Sequence, residues 1–251
     1  MIIFTIAARE LRSLFLSPLA WTILAVVQFI LTYFFLLYVE QFIKIQPGLA
    51  QYPNAPGVTE IVVAPLFDTA GFILLLVMPI LTMRLISEER RNRTLALLFS
   101  APVSMTEIIL GKFIGILSFT LIIVIFLAMM ALSLLSGTNL DIGLLFSGLL
   151  GLVLLISSFA AVGLYMSSLT TQPTIAAIST FGILILLWIL DAAGTAGGES
   201  DRVFSYLSTL RHFQPMLKGV FDSSDIIYYL LFITTFLVLS IRRLDADRLQ
   251  H

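Results

Sequence analysis

Long apolar runs separated by short polar breaks fill almost the whole chain. A helix crossing a bilayer needs about 20 mostly apolar residues. Six stretches meet or approach that length: 19–39, 65–83, 108–135, 142–169, 173–190 and 225–241. The third and fourth are long enough to tilt or protrude, and the last two are short. The pattern predicts an all-α, polytopic membrane protein with six transmembrane helices in a single domain, 1–251.

Start signals agree with this division. Ser17 precedes Pro18 and Gln172 precedes Pro173, each placing proline in a first turn. Ser104 and Glu107 have capping-box spacing ahead of the third run. Ser224 precedes Asp225, whose carboxylate suits a helix N-terminus. Met78-Pro79 inside the second run predicts a kink.

Before the first run, residues 2–17 gather Phe4, Ala7, Ala8, Leu11, Leu14 and Phe15 on one helical face, with Thr5, Arg9, Arg12 and Ser13 opposite. This segregation predicts a helix lying in the membrane interface rather than a cleaved signal peptide. Residues 40–64 hold Pro47, Pro53, Pro56 and Gly57 and read as an irregular external loop. The external segment 191–224 opens with glycines, then turns apolar over 203–222, too interrupted to span. It fits a short helix or hairpin that dips into the outer leaflet or closes the mouth of the bundle.

Basic residues set the expected orientation. Arg9, Arg12, Arg84, Arg90, Arg91, Arg93, Lys112, Arg242, Arg243 and Arg248 share one side, against Lys44, Arg202, Arg211 and Lys218 on the other. Both termini are therefore expected in the cytoplasm. Composition changes little: 59% of residues are hydrophobic, 12% are charged and the net charge is −1. A soluble domain carries about twice that charged fraction, and nothing points to nucleic acid. Without cysteine there is no disulfide or thiol chemistry, and His212 and His251 suggest no metal cluster.

The one strongly charged stretch between spans is 87–104. Ser87 is placed to cap a short helix, and Glu88 and Glu89 suit its first turn. Arg90, Arg91, Asn92, Arg93 and Thr94 offer polar grip, and Leu95, Leu98 and Phe99 form an apolar edge. Pro102 forces a turn before the next span. Such a helix, lying along the membrane, can pass a soluble partner's motion into the two spans it joins. An ordinary basic loop on the cytoplasmic side has the same gross composition.

The Glu88-Glu89 pair, Thr94-Leu95-Ala96-Leu97-Leu98, Ala101-Pro102-Val103-Ser104 and Gly111-Lys112 resemble the cytoplasmic loop of type-2 ABC exporter permeases. Arg9-Glu10-Leu11 and Ser17-Pro18 are similar to that family's interfacial helix and first span. His212-Phe213, Lys218 to Asp222 and Asp225 to Tyr229 resemble the external segment of its gliding-motility-type branch. The likeness runs the length of the chain. Two departures stand out: Arg93 occupies a place where the family commonly has glycine, and Ala96 replaces a glutamate.

The resemblance implies a non-catalytic half-transporter in the inner membrane. It would pair with a second permease subunit, identical or not, and dock a separate ABC ATPase that holds ATP and magnesium. An auxiliary envelope protein is a further possible partner. Coupling would fall to Glu88, Glu89, Arg90, Arg91, Arg93, Thr94, Leu95 and Leu98. An external gate would include His212, Phe213, Gly219 and Phe221. The chain itself carries no Gly-x-x-x-x-Gly-Lys-Ser/Thr phosphate loop, and its spans carry no acidic or histidine relay. No cofactor of its own is expected, and the substrate is not legible.

Other features have plainer readings. Asp68 and Asp191 read as interfacial carboxylates, and Lys112 as a cation snorkelling to lipid phosphates. Gly111 with Gly115, and Gly143, Ser147 and Gly151, allow close helix packing within one subunit. Gln28, Thr32, Tyr33, Ser157, Ser158 and Ser179 either line a path or bond their own helices. The rival functions are a membrane scaffold for a motility or envelope machine and an ion-coupled secondary carrier.

Overall fold

A computed structural model describes residues 2–49, 56–94, 103–194 and 208–249. Among them the chain is helical, with no strand. The elements are α1 (Ile2–Leu16), α2 (Pro18–Leu49), a π-helical turn (Thr59–Val63) running into α3 (Ala64–Thr82), and α4 (Ser87–Arg91). There follow α5 (Met105–Ser133), α6 (Ile142–Leu169), α7 (Pro173–Gly194), α8 (Thr209–Leu217) and α9 (Ser223–Leu249). Six segments are long and apolar enough to cross a membrane, so this is a multi-pass membrane protein.

α6 is the axis of the bundle. It packs against α3, α5, α7, α8 and α9, and 61% of its most apolar stretch is buried within the chain. The same fraction is 11% for the first span and 17% for the fifth, so α2 and α7 turn most of their apolar surface outward. Lipid is as apolar as leucine, so close packing rather than expulsion from water holds such helices together. Small residues make it possible. A Cβ on Gly148 would stand 2.8 Å from Phe67, and one on Gly151 would stand 3.0 Å from Met216.

α1 lies along the first half of α5 through Gly111 and Gly115. A Cβ at Gly111 would meet Ile6 at 2.7 Å, and one at Gly115 would meet Glu10 at 2.8 Å. The Gly-x-x-x-Gly pair therefore seats the amphipathic helix inside one subunit. Trp21 Nε1 donates to the Phe15 carbonyl at 2.8 Å and fixes the corner into α2.

Two expectations change. Residues 40–49, read as irregular, continue α2. Glu40 and Lys44 pair at 2.6 Å one turn apart and support the extra helix. Pro47 removes one i→i−4 donor, and the helix ends within the same turn, at Leu49. The cap of α9 is also displaced: Asp222 Oδ1 accepts from Ser224 N at 2.9 Å, while Asp225 turns into the bundle. The capping box of Ser104 and Glu107 is present at the start of α5. The mid-depth hydroxyls of Thr32, Ser157, Ser158 and Ser179 bond carbonyls of their own helices.

Candidate functional site

The site is built where α3 gives way to α4. Four residues of turn, 83–86, separate them. Pro79 carries no N–H, and the Thr82 hydroxyl donates back to the Met78 carbonyl at 2.7 Å. The break is closed by a residue from another helix. Ser167 of α6 donates its hydroxyl to the Met83 carbonyl at 3.0 Å. The same oxygen accepts from Ile86 N at 3.0 Å and Ser87 N at 3.1 Å. Ser167, Ile86 and Ser87 are fully buried, so these bonds replace what water would otherwise supply. Ser87 does not cap α4: Ile86 holds that position and the Ser87 hydroxyl donates to the Met83 carbonyl.

α4 is only five residues long, and its end is as well defined as its start. Thr94 N bonds the Glu89 carbonyl at 3.0 Å and Arg93 N bonds the Arg90 carbonyl at 3.1 Å. This is the Schellman arrangement, with Arg93 in the left-handed region at φ 58°. α8 ends in the same way on Gly219, at φ 75°. A side chain in that conformation costs about 1–2 kcal/mol relative to glycine. The substitution noted in the sequence thus falls where the backbone favours glycine.

The inward face of α4 is charged. Lys112 of α5 is 2% exposed. Its Nζ donates to Glu89 Oε1 at 2.8 Å and to Glu10 Oε2 of α1 at 3.3 Å. Arg9 adds a contact to Glu89 Oε1 at 3.5 Å. Two cations and two carboxylates therefore balance in one cluster joining α1, α4 and α5. Beside it, Arg90 pairs with Asp247 of α9, which Arg243 also approaches at 3.6 Å.

These pairs revise the sequence reading. Lys112 does not snorkel to lipid; a lone buried cation needs counter-charges, and Glu10 and Glu89 provide them. Glu89 and Arg90 are half-buried and paired within the bundle, with Lys112 and Asp247. Glu88, Arg91, Arg93 and Thr94 are exposed. Leu95 and Leu98 lie outside the described residues. Glu10, Asp247 and Ser167 were missed. Lys112 in an apolar run was a signal that a counter-ion exists, but nothing in the sequence identified which residues supply it.

At the opposite end, α8 packs into the bundle. His212 Nδ1 lies 2.6 Å from Asp225 Oδ1, and its ring stacks on Tyr228 with centroids 3.9 Å apart. Tyr229 donates to the Thr209 carbonyl at 2.7 Å. Phe213 is fully buried, and a Cβ on Gly71 or Gly151 would stand only 3.3 Å from its ring. Of the four residues grouped there, His212, Phe213 and Gly219 are tied to α8, whereas Phe221 is 60% exposed beyond it. Near this end, a cleft of about 600 Å³ is lined by Glu60, Asp68, Gln214 and Lys218.

A short charged segment follows one span, is braced by α1, α5, α6 and α9, and offers its outer face to solvent. A search of curated proteins finds no match. The family model described as ABC-2 family transporter protein matches residues 4–249. Permeases of that family are generally non-catalytic transmembrane subunits. The chain belongs to the ABC-2 family of transporter membrane proteins.

Proposed function

We propose that the chain is the permease subunit of an ATP-driven ABC exporter and docks a separate ATPase on the outer face of residues 84–94. The arginine-rich end faces the cytoplasm and both termini lie there, in an inner (plasma) membrane. The observation carrying this reading is the double support of α4: Ser167 fixes its start, and Lys112 fixes its inward face to α1 and α5. A segment held that way moves its spans when it is pushed. ATP and magnesium reside on the partner. α8 and the residues up to Asp222 close the external side, and a second permease copy packs on the outward faces of α2 and α7.

The test exploits a chain without cysteine. Glu88→Cys, exposed on α4, is cross-linked in native membranes with a short reagent. An adduct with an ABC ATPase is expected. An intact complex that never gives the adduct overturns the docking assignment. Full physiological activity without any ATPase would instead favour the scaffold or the ion-coupled carrier.

A further inference from the structure

The cleft of about 600 Å³ lies between the start of α3 and the end of α8, and α2 shows its depth. From Trp21 to Tyr38, α2 rises about 26 Å, close to the thickness of a bilayer's hydrocarbon core. Rings of this kind gather at the two membrane interfaces. The Tyr38 hydroxyl and Thr69 Oγ1 lie 2.8 Å apart, so the neighbouring Asp68 sits at headgroup level. Trp188 of α7 packs against Phe72, one turn deeper.

Both walls are held in place. Glu60, Ala64 and Asp68 stand one above another on the face of the π-helical turn and α3 that lines the cleft. The turn is tied to the start of α6, where Thr59 Oγ1 accepts from Asp141 N at 2.9 Å. Gln214, Leu217 and Lys218 form the facing wall. α8 stops just beyond them, through bonds from Gly219 N to the Met216 carbonyl and from Val220 N to the Pro215 carbonyl. Asp68 Oδ1 is buried and has no hydrogen-bond partner among the described residues. Lys218 is exposed and pairs with neither Asp68 nor Glu60. The cleft thus offers a buried acceptor in need of a donor, and separate charges of both signs.

We infer that this cleft binds a primary ammonium carried beside a phosphate, the chemistry of an ethanolamine phosphate headgroup. The ammonium donates to Asp68 Oδ1, Glu60 adds negative charge, and Lys218 pairs with the phosphate. Selectivity follows from the donor. A choline headgroup has the same charges but no N–H, so it leaves Asp68 Oδ1 unserved. A glycerol headgroup keeps the phosphate and lacks the cation. The level of Asp68 makes a lipid of the adjoining leaflet the source, the outer leaflet in the orientation proposed above. The sequence suggested a plain interfacial carboxylate; the depth agrees, and the cleft gives that carboxylate a ligand.

The chain's lack of cysteine supplies the test. Gln214→Cys places a thiol in the cleft, and its rate of reaction with a water-soluble maleimide is measured on the full chain in nanodiscs. Discs of phosphatidylethanolamine should slow the reaction about tenfold relative to discs of phosphatidylcholine or phosphatidylglycerol. Adding Asp68→Asn should remove that protection. Lys218→Glu, an exposed change that leaves the packing alone, should also remove it and carries the test if the Asp68 variant does not fold. Soluble glycerophosphoethanolamine is added to phosphatidylcholine discs as a second arm. Protection by the soluble ester and not by the lipid would keep the site and move its source to water. Equal rates in all three lipids with no effect of the ester, or protection that survives both substitutions, would overturn the site. No ATPase enters this assay, so its failure leaves the permease reading untouched, and the absence of any co-purifying ATPase would reject that reading without touching the site.

Discussion

Lys112 Nζ lies 2.8 Å from Glu89 Oε1 although 23 residues separate them, and Lys112 is all but inaccessible to solvent. Glu10 completes the arrangement at 3.3 Å. One side chain thus joins α1, the short charged helix and the third span. Removing a partner from a buried pair costs more than the pair contributes, because a buried charge is left alone. Lys112→Met is therefore expected to destabilise the chain by about 3 kcal/mol. Adding Glu89→Gln and Glu10→Gln should recover most of the loss. Thermal unfolding in detergent across this set checks the coupling; additive effects would contradict it.

The Ser167 hydroxyl serves two backbone N–H groups and one carbonyl at the break between α3 and α4. Ser167→Ala leaves the two N–H groups buried without that partner, while the Met83 carbonyl keeps the Ser87 hydroxyl, and should cost about 1–3 kcal/mol. The amides of Ile86 and Ser87 should then exchange hydrogen markedly faster. Protection equal to the unaltered chain would mean that the break is held by other contacts.

Arg93→Gly separates backbone cost from side-chain use. Relief of the left-handed strain should raise stability by about 1 kcal/mol, read as a higher midpoint of thermal unfolding. Binding of the ATPase should weaken in the same variant, since the guanidinium is lost from the outer face of residues 84–94. A variant that is both more stable and equally well bound would show that Arg93 has no role in docking.

The six spans, the amphipathic first helix and the capping box were legible, because each rests on local pattern: run length, segregation of faces and residue spacing. Gly111 and Gly115 were legible as packing sites for the same reason. The charged cluster was only half legible. Lys112 announced that a counter-charge must exist, but Glu10 and Asp247 become its neighbours or Arg90's only once α1 and α9 are packed against the bundle. Ser167 gave no signal at all, since a serine near a helix end usually bonds its own turn, as Ser168 does with Tyr165. Residues 40–49 misled because Pro47, Pro53, Pro56 and Gly57 were read together as a loop, while α2 runs on through Pro47 to Leu49.

The seating of α1 on α5 has its own test. Gly115→Leu places a side chain against Glu10 and the Ala7 carbonyl, where even a Cβ is too close at 2.8 and 3.1 Å. α1 should lift from α5, disturbing the bond from Trp21 Nε1 to the Phe15 carbonyl and shifting tryptophan fluorescence. An unchanged spectrum with native stability would contradict the seating.

The start of α9 depends on pH through Asp222. The backbone N–H of Ser224 bonds its carboxylate, with a smaller contribution from the Ser224 side chain, and holds its pKa below the usual carboxylate range. A depressed folded-state pKa contributes stability above the unfolded value, and that contribution is lost as pH falls through the folded value. Exchange at the Ser224 amide should therefore rise relative to neighbouring amides on acidification below about pH 4. Asp222→Asn, which keeps an acceptor, should abolish that dependence.

Purification through a tag on this chain, from native membranes, addresses the central claim most directly. The account predicts that magnesium-dependent ATP hydrolysis elutes with the chain and falls sharply with Arg91→Glu, while the variant still inserts. Physiological activity that survives deletion of every co-purifying ATPase, with no hydrolysis ever associated with the chain, would contradict it.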